Sequence, residues 1–335
     1  MHRFCHTNVL VIGDVMMDEY IWGNVSRISP EAPVPILDVI SESQTLGGAA
    51  NVIHNVHTLG GKSLLCSVIG DDAIGKRLQQ RLYDLGVNLE GLLIESTRPT
   101  TIKTRIIAQY HRHYQQMVRL DRETRNDISS EQTARLIETI TKALPTIDAI
   151  IIEDYGKGVV ASELVQEVIT LSRRAGKIVA VDPKTNHFAR YAGASVITPN
   201  HFEAGASLNL TIESHQDLLL AGRQLLEQMK SDYVLITRGK DGMSLFERES
   251  RMATHIPTMA LEVFDVAGAG DTVIAALTLG LASGVNPVDA VLLSNAAAGV
   301  VVGKMGVATV NQEELLAQLL KMTKRELDIQ REKFV

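Results

Sequence analysis

The sequence predicts an α/β fold: a mainly parallel sheet with a second, smaller sheet set apart from it. Three observations carry this. Short apolar runs without polar alternation recur along the chain, the texture of strands buried on both faces. Helical patterns lie between them, and strand alternating with helix means βαβ units. Two segments break the rhythm and read as strands with no helix.

In chain order, residues 8–13 (NVLVIG) are the first buried strand. The same texture returns at 148–153 (DAIIIE), 177–182 (KIVAVD), 195–198 (SVIT) and 233–237 (YVLIT). Helices are expected at about 130–144, 160–176 and 212–229. Two Ala- and Gly-rich helices, 271–284 and 287–303, should pack closely. The odd segments are Pro-rich 20–45 and alternating 100–121, which together suit a small sheet over the mouth of the main domain. The resulting division is one domain over 1–325, with lid segments at about 15–45 and 98–121, and a charged tail at 326–335. That tail belongs to LLKMTKRELDIQREKFV, which reads as a charged helix or a frayed end.

Composition narrows the class. Of 335 residues, 45% are apolar and 21% charged, ordinary for a globular chain with a sizeable core. The net charge of −6 and the lack of a long basic block argue against nucleic acid as a partner. Two cysteines, Cys5 and Cys66, support neither a disulfide framework nor a zinc site, so a reducing cytoplasm is the expected compartment. The apolar stretch after MHRFCHT is too short for a signal peptide, and no run is long enough to span a bilayer.

Five motifs carry chemistry. In DVAGAGD (265–271), bare amides of Ala267, Gly268, Ala269 and Gly270 at a helix start form an anion hole. Asp271 beside them suits a general base, kept ionised by the helix dipole, although a capping Asp after a tight turn would look the same. In GDVMMD (13–18), Asp14 and Asp18 suit sugar hydroxyls or turn capping, and the loop follows a strand's carboxyl end. There is no GxGxxG, which weakens a dinucleotide-binding reading. In LGGAANVIHNVHTLGG (46–61), Gly47 and Gly48 admit a polyol to the backbone and Asn51 offers both donor and acceptor. His54 and His57 share a helix face but lack a third metal ligand. In VITPNHFEA (196–204), Asn200 and Glu203 suit hydrated Mg2+ and phosphates. LITRGKDGMSLF (235–246) is a strand, a Gly turn and a strand that suits ribose and phosphate, or a plain hairpin.

Together these residues resemble the ribokinase-like (PfkB) carbohydrate kinases over almost the whole chain. DVAGAGD is similar to that family's D-T-x-G-A-G-D signature, and LGGAAN to its Gly-Gly signature. A monovalent cation such as K+ is a further candidate cofactor, but Val266 and Ala267 stand where hydroxyl residues are common, so these positions offer no hydroxyl to it or to phosphate. The resemblance implies a Rossmann-like three-layer α/β/α sandwich with a β lid that often forms a dimer interface, here a homodimer. It implies ATP and Mg2+, with Asp271 as base and Gly268, Ala269 and Gly270 as the anion hole. ATP contacts fall on Asn200, His201, Phe202, Glu203, Thr237, Arg238, Gly239 and Asn295, with Glu203 on the metal. Asp14, Asp18, Gly47, Gly48 and Asn51 fall on the sugar.

A narrower likeness lies in GDVMMDEYIWG, VSRISPEAPVPILDV and QQMVRLDRE, which resemble D-glycero-β-D-manno-heptose 7-phosphate kinases. These make heptose 1,7-bisphosphate for the lipopolysaccharide core. Many continue into a nucleotidyltransferase marked by His-x-Gly-His. This sequence has no such motif, so a stand-alone kinase or a kinase half is expected. A phosphorylated substrate needs a cationic clamp, for which Arg105, then Arg27, Lys103 and Lys157, are the candidates. A kinase for fructose phosphate or ribose, or a non-catalytic sensor on the same fold, are the alternatives.

Overall fold

The structure, a computed structural model, describes residues 2–110, 113–322 and 328–334. The chain enters through β1 (Asn8–Gly13) and departs into two long strands, β2 (Val15–Ile28) and β3 (Pro35–Gly48). It returns through α1 (Ala49–Thr58), β4 (Lys62–Gly70), α2 (Ala73–Asp84) and β5 (Asn88–Glu95), and β6 (Thr101–Tyr110) and β7 (His113–Arg122) follow. An alternating stretch comes next: α3 (Ser130–Ala143), β8 (Ala149–Glu153), α4 (Ser162–Arg174), β9 (Ile178–Asp182), β10 (Val196–Ile197), α5 (His201–Ser207), α6 (His215–Met229) and β11 (Tyr233–Thr237). The last part is β12 (Met243–Glu247), β13 (Met252–Ile256), α7 (Ala269–Ala282), α8 (Pro287–Val301), α9 (Gln312–Met322) and β14 (Gln330–Lys333).

Ten strands form the main sheet, in the order β14-β13-β12-β11-β10-β9-β8-β1-β4-β5. From β11 through β5 neighbouring strands are parallel, and β12 to β14 continue antiparallel. The apolar runs face both ways, as read from the sequence. Val9 and Val11 of β1 join a core with α1, α7 and α8, while Leu10 and Ile12 join another with α3, α4 and α6. This is the expected three-layer sandwich. Helix α7 is buried nearly all round from Asp271 to Gly280, as befits a helix without a polar face.

The lid is a separate sheet, β3-β2-β6-β7. Strand β2 pairs antiparallel with β3 and parallel with β6, and the register sets Asp18 beside Lys103 and Tyr20 beside Arg105. Residues two apart share a face, so Asp18, Tyr20, Lys103 and Arg105 look the same way.

Two regions differ from the sequence reading. Residues 62–95, left without elements there, form β4, α2 and β5 at one edge of the sheet. The expected charged tail at 326–335 lies partly outside the described residues, but its described part is not a free end. Strand β14 pairs with β13, and Phe334 is buried against Phe246. Apolar Ile329 and Phe334 flank the four strand residues and anchor them, a signal masked by the surrounding charges.

Candidate active site

Strands β1, β8, β9, β10 and β11 run parallel, so their carboxyl ends share one rim, and the loops there gather the polar residues. Helix α7 points its start at this rim. Gly268 is its N-cap, at φ 75°, a conformation that glycine adopts without a Cβ penalty. No side chain caps this helix, whereas Ser129, Asn200, Ser214 and Asn286 cap α3, α5, α6 and α8. First-turn amides of an uncapped helix are orphan donors with a favourable dipole for anions. Two of the four amides assigned to the anion hole are engaged within the loop, however. Ala267 donates to the Asp265 carboxylate at 2.9 Å and Ala269 to the Val266 carbonyl at 3.2 Å. Gly268 and exposed Gly270 remain the better donors.

Asp271 sits in the first turn of α7, buried. Its Oδ2 accepts from Asn51 Nδ2 at 2.6 Å and its Oδ1 from the Tyr155 hydroxyl at 2.8 Å. Behind it runs a buried polar chain: Asn55 donates to the Asn51 carbonyl at 3.0 Å, and Thr272 Oγ1 donates to Asn55 Oδ1 at 3.0 Å. This chain fastens α1 to α7, so Asn51 orients the Asp271 carboxylate. Burial pushes the Asp271 carboxyl up to about 6, opposed by the donors Asn51 and Tyr155 and by the Lys103 charge. Burial therefore outweighs the dipole effect expected from sequence.

The lid supplies the facing groups. Asp18 is buried and ion-paired with Arg105, whose guanidinium lies 5.3 Å from the Tyr20 ring centre. Lys103 Nζ lies 5.0 Å from the Tyr155 ring centre. Gly47 is required by contact: a Cβ there would lie 2.1 Å from Asp18 Oδ2. Gly48 is the N-cap of α1.

Three sequence assignments are redirected. The Asp14 carboxylate is already engaged by backbone: Oδ2 accepts from the amides of Tyr155 (3.0 Å) and Lys157 (2.9 Å), and Oδ1 from Val159 (3.0 Å). It anchors the 155–159 loop that carries Tyr155. Arg27 is exposed, nine residues beyond Asp18 on β2, roughly 30 Å along the strand, so this chain does not bring it to the site. Lys157 pairs with Glu123 at 2.7 Å and lines a neighbouring polar cavity of about 370 Å³ with Lys184, His187 and Arg190.

An apolar cavity of about 500 Å³ adjoins the α7 start. It is lined by Thr237, Gly239, Val266, Ala269, Gly270 and Asn295, among others. Three of the residues assigned to the nucleotide are thus brought together. Asn295 holds one wall, donating to the Pro257 carbonyl at 2.8 Å and accepting from the Met259 amide at 3.3 Å. Asn200, His201, Phe202, Glu203 and Arg238 are not among its lining residues. Asn200 and Glu203 form a reciprocal cap on α5 instead: Asn200 Oδ1 accepts from Phe202 and Glu203 amides at 3.0 Å, and Glu203 Oε2 accepts from Asn200 N at 2.9 Å. Their loop borders the site, since Asn200 bridges to Thr237.

The carboxylates that converge are Glu153, Asp182 and Asp271, with ligand atoms all within 4.8 Å of one another. Glu203 is not one of them. Glu153 and Asp182 end β8 and β9, adjacent strands in register, so the sheet itself sets them side by side. Burial raises both, Asp182 to about 8; the charges of Asp182 and Asp271 add to it at Glu153, and those of Glu203 and Asp271 at Asp182, where hydrogen bonds with Thr198 and Glu153 pull the other way. Glu153 Oε2 is buried without a hydrogen-bond partner. Sequence reasoning missed Tyr155, Glu153 and Asp182. The signal was present as an acid closing each all-apolar run, AIIIE and IVAVD.

A family model described as "pfkB family carbohydrate kinase" matches residues 6–314. The chain is 46% identical over 317 residues to the bifunctional protein HldE of Desulfatibacillum aliphaticivorans, covering 94% of this chain and 64% of that protein. It is 44% identical to the bifunctional protein HldE of Helicobacter pylori (strain G27), covering 94% and 66%. The chain therefore spans just under two thirds of the length of these relatives. Phosphofructokinase-2 from Escherichia coli, solved with substrates and products, matches with a TM-score of 0.77 at 18% identity, over 95% of this chain and 99% of that one. The same enzyme has been solved in complex with potassium. Ribokinase from Arabidopsis thaliana, complexed with ribose and ATP, matches at 0.72 and 17%, over 93% and 98%. At these identities the structural matches establish the fold.

Proposed function

From the premise that this chain belongs to the pfkB family of carbohydrate kinases and is a sugar kinase, we propose that it phosphorylates the anomeric hydroxyl of D-glycero-β-D-manno-heptose 7-phosphate. The product is the 1,7-bisphosphate, made in the cytoplasm on the route to ADP-heptose for the lipopolysaccharide core. The observation that carries this reading is Asp271: a buried carboxylate at an uncapped helix start, held by Asn51 and Tyr155, with Asp18, Lys103 and Arg105 facing it from the lid.

The reaction follows from these positions. Asp271 accepts the proton of the anomeric hydroxyl as its oxygen bonds to the γ-phosphorus of ATP, and the bond to the β–γ bridging oxygen breaks to release ADP. Amides of Gly268 and Gly270 donate to the phosphoryl oxygens, where charge accumulates. The apolar cavity beside Asn295 suits the nucleotide base. Mg2+ prefers carboxylate oxygens, and Glu153 with its unpartnered oxygen and Asp182 fit that preference. When bound, the ion neutralises phosphate charge. Lys103 and Arg105 suit the substrate's own phosphate, as charges on the lid face that carries Asp18. Closure of the lid excludes water. Its exposed Val39, Ile40, Val118 and Leu120 suit coverage by a second copy in a homodimer.

The test is ADP release across a panel of heptose 7-phosphate, free heptose, fructose 6-phosphate and ribose, with Mg2+ present. The reading expects kcat/KM for heptose 7-phosphate to exceed each of the others by at least about tenfold, or about 1.4 kcal/mol. Equal or better turnover of fructose 6-phosphate or ribose overturns the substrate assignment and leaves the kinase class standing.

A further inference from the structure

We propose that His215, His255 and Glu332 form a site for a divalent transition-metal ion, Zn2+ or one of similar preference, that pins the last described strand to the main sheet and to helix α6. The three residues come from three elements: the first turn of α6, β13 and β14. Their ligand atoms all lie within 4.8 Å of one another. His215 Nε2 is 2.5 Å and His255 Nε2 3.0 Å from the same oxygen, Glu332 Oε1, and the two rings are 5.0 Å apart between centres. They share no residue with the Glu153, Asp182 and Asp271 cluster.

The donor set determines the ion class. Two imidazole nitrogens and one carboxylate oxygen are the ligands of open zinc sites, and an all-oxygen preference excludes Mg2+ from competing well. Bonds of about 2.0–2.1 Å in a tetrahedron put ligand atoms about 3.3 Å apart. His255 needs only a few tenths of an ångström to reach that spacing. Measured to Glu332 Oε1, His215 is under about 1 Å from that spacing, and its side chain is half-exposed.

The second layer is already built. His255 Nδ1 contacts Ser244 Oγ at 2.8 Å from the paired position on β12, which leaves Nε2 to face the cluster. Phe246 packs against the His255 ring and against Phe334, so the ring is held and one side of the site is apolar. Burial lowers the His255 pKa, as do the His215 and Arg238 charges, while Glu332 pulls the other way. Strand β14 is four residues long and among the described residues pairs with β13 alone, so a metal bridge to α6 adds a second attachment.

The experiment uses the full chain stripped of metal with EDTA, then titrated with Zn2+ by calorimetry, without nucleotide or sugar. Melting temperature is followed in parallel. Variants are His215→Gln, Glu332→Gln and, as a control in another histidine pair, His54→Gln. The wild type and His54→Gln should bind one equivalent of Zn2+ more than His215→Gln and Glu332→Gln, or bind it at least about tenfold more tightly. Zn2+ should raise the melting temperature only where that equivalent binds. His215 and Glu332 are partly exposed, so both variants should fold, which circular dichroism checks. Equal stoichiometry and affinity in the wild type and in both site variants overturns the proposal, as does loss of binding in His54→Gln alone. No readout depends on turnover, so failure of the kinase reading leaves this result intact.

Discussion

Replacing Tyr155 by Phe removes one hydroxyl and nothing else from the buried site. That hydroxyl donates to Asp271 Oδ1 at 2.8 Å. It stabilises the ionised carboxylate, so it holds the Asp271 pKa down against burial, which has raised it to about 6. Tyr155 itself stays protonated, because burial and the nearby acids push its pKa well above the ordinary tyrosine value. A hydrogen bond to a charged group contributes roughly 1.5–3 kcal/mol, and 1.36 kcal/mol is one pH unit, so the loss should raise the base by about 1–2 units. A base works only when ionised. The acid limb of kcat/KM should therefore move from near pH 6 to about 7–8. Activity at pH 7 should fall about two- to tenfold and largely recover by pH 9. The assay is ADP release against sugar concentration from pH 5 to 9.5. An acid limb that stays in place, or a loss equal at every pH, would refute the reasoning that Asp271 titrates as the base and that Tyr155 tunes it.

Three further substitutions test the supporting structure. Gly268→Ala forces a Cβ to 2.7 Å from Asn51 Nδ2 at φ 75°, so Asn51 must shift away from Asp271. The expectation is a loss in kcat on the order of 10²-fold from misplacement, with a drop in melting temperature because alanine is strained at that φ. Asp14→Asn sets an amide against backbone donors that both carboxylate oxygens now accept. Each donor left unsatisfied costs roughly 1–3 kcal/mol, so the urea midpoint should drop and kcat should fall with it as the Tyr155 loop loosens. Asn295→Leu unfastens the Pro257–Met259 wall of the apolar cavity. KM for ATP should rise about tenfold while KM for the sugar stays within about twofold, a split measured by varying each substrate in turn.

Much of the architecture was readable because its signals are local. NVLVIG, DAIIIE and YVLIT announce strands that need apolar neighbours on both faces, and the lid announces itself by lacking helix. Asp271 was legible because small residues and an acid stand together in DVAGAGD. What escaped depends on neighbours distant in sequence. Glu153 and Asp182 meet only because β8 and β9 pair in register, 29 residues apart. Tyr155 reaches Asp271 across 116 residues, on a loop that Asp14 holds by backbone bonds no side-chain pattern reveals. Arg27 lies far from the site within this chain for a geometric reason: sequence gives the alternation of a strand but not how far it runs from the site. Strand β14 was hidden because its pairing to β13 uses backbone groups, which carry no composition.

The most direct measurement is made on Asp271→Asn, with ATP affinity by calorimetry and sugar phosphorylation by ADP release on the same preparation. Loss of a general base should lower kcat by roughly 10²–10⁴-fold, while the ATP dissociation constant stays within about threefold. Turnover within about tenfold of the wild type, with sugar and nucleotide saturating, would contradict the claim that this carboxylate deprotonates the carbohydrate.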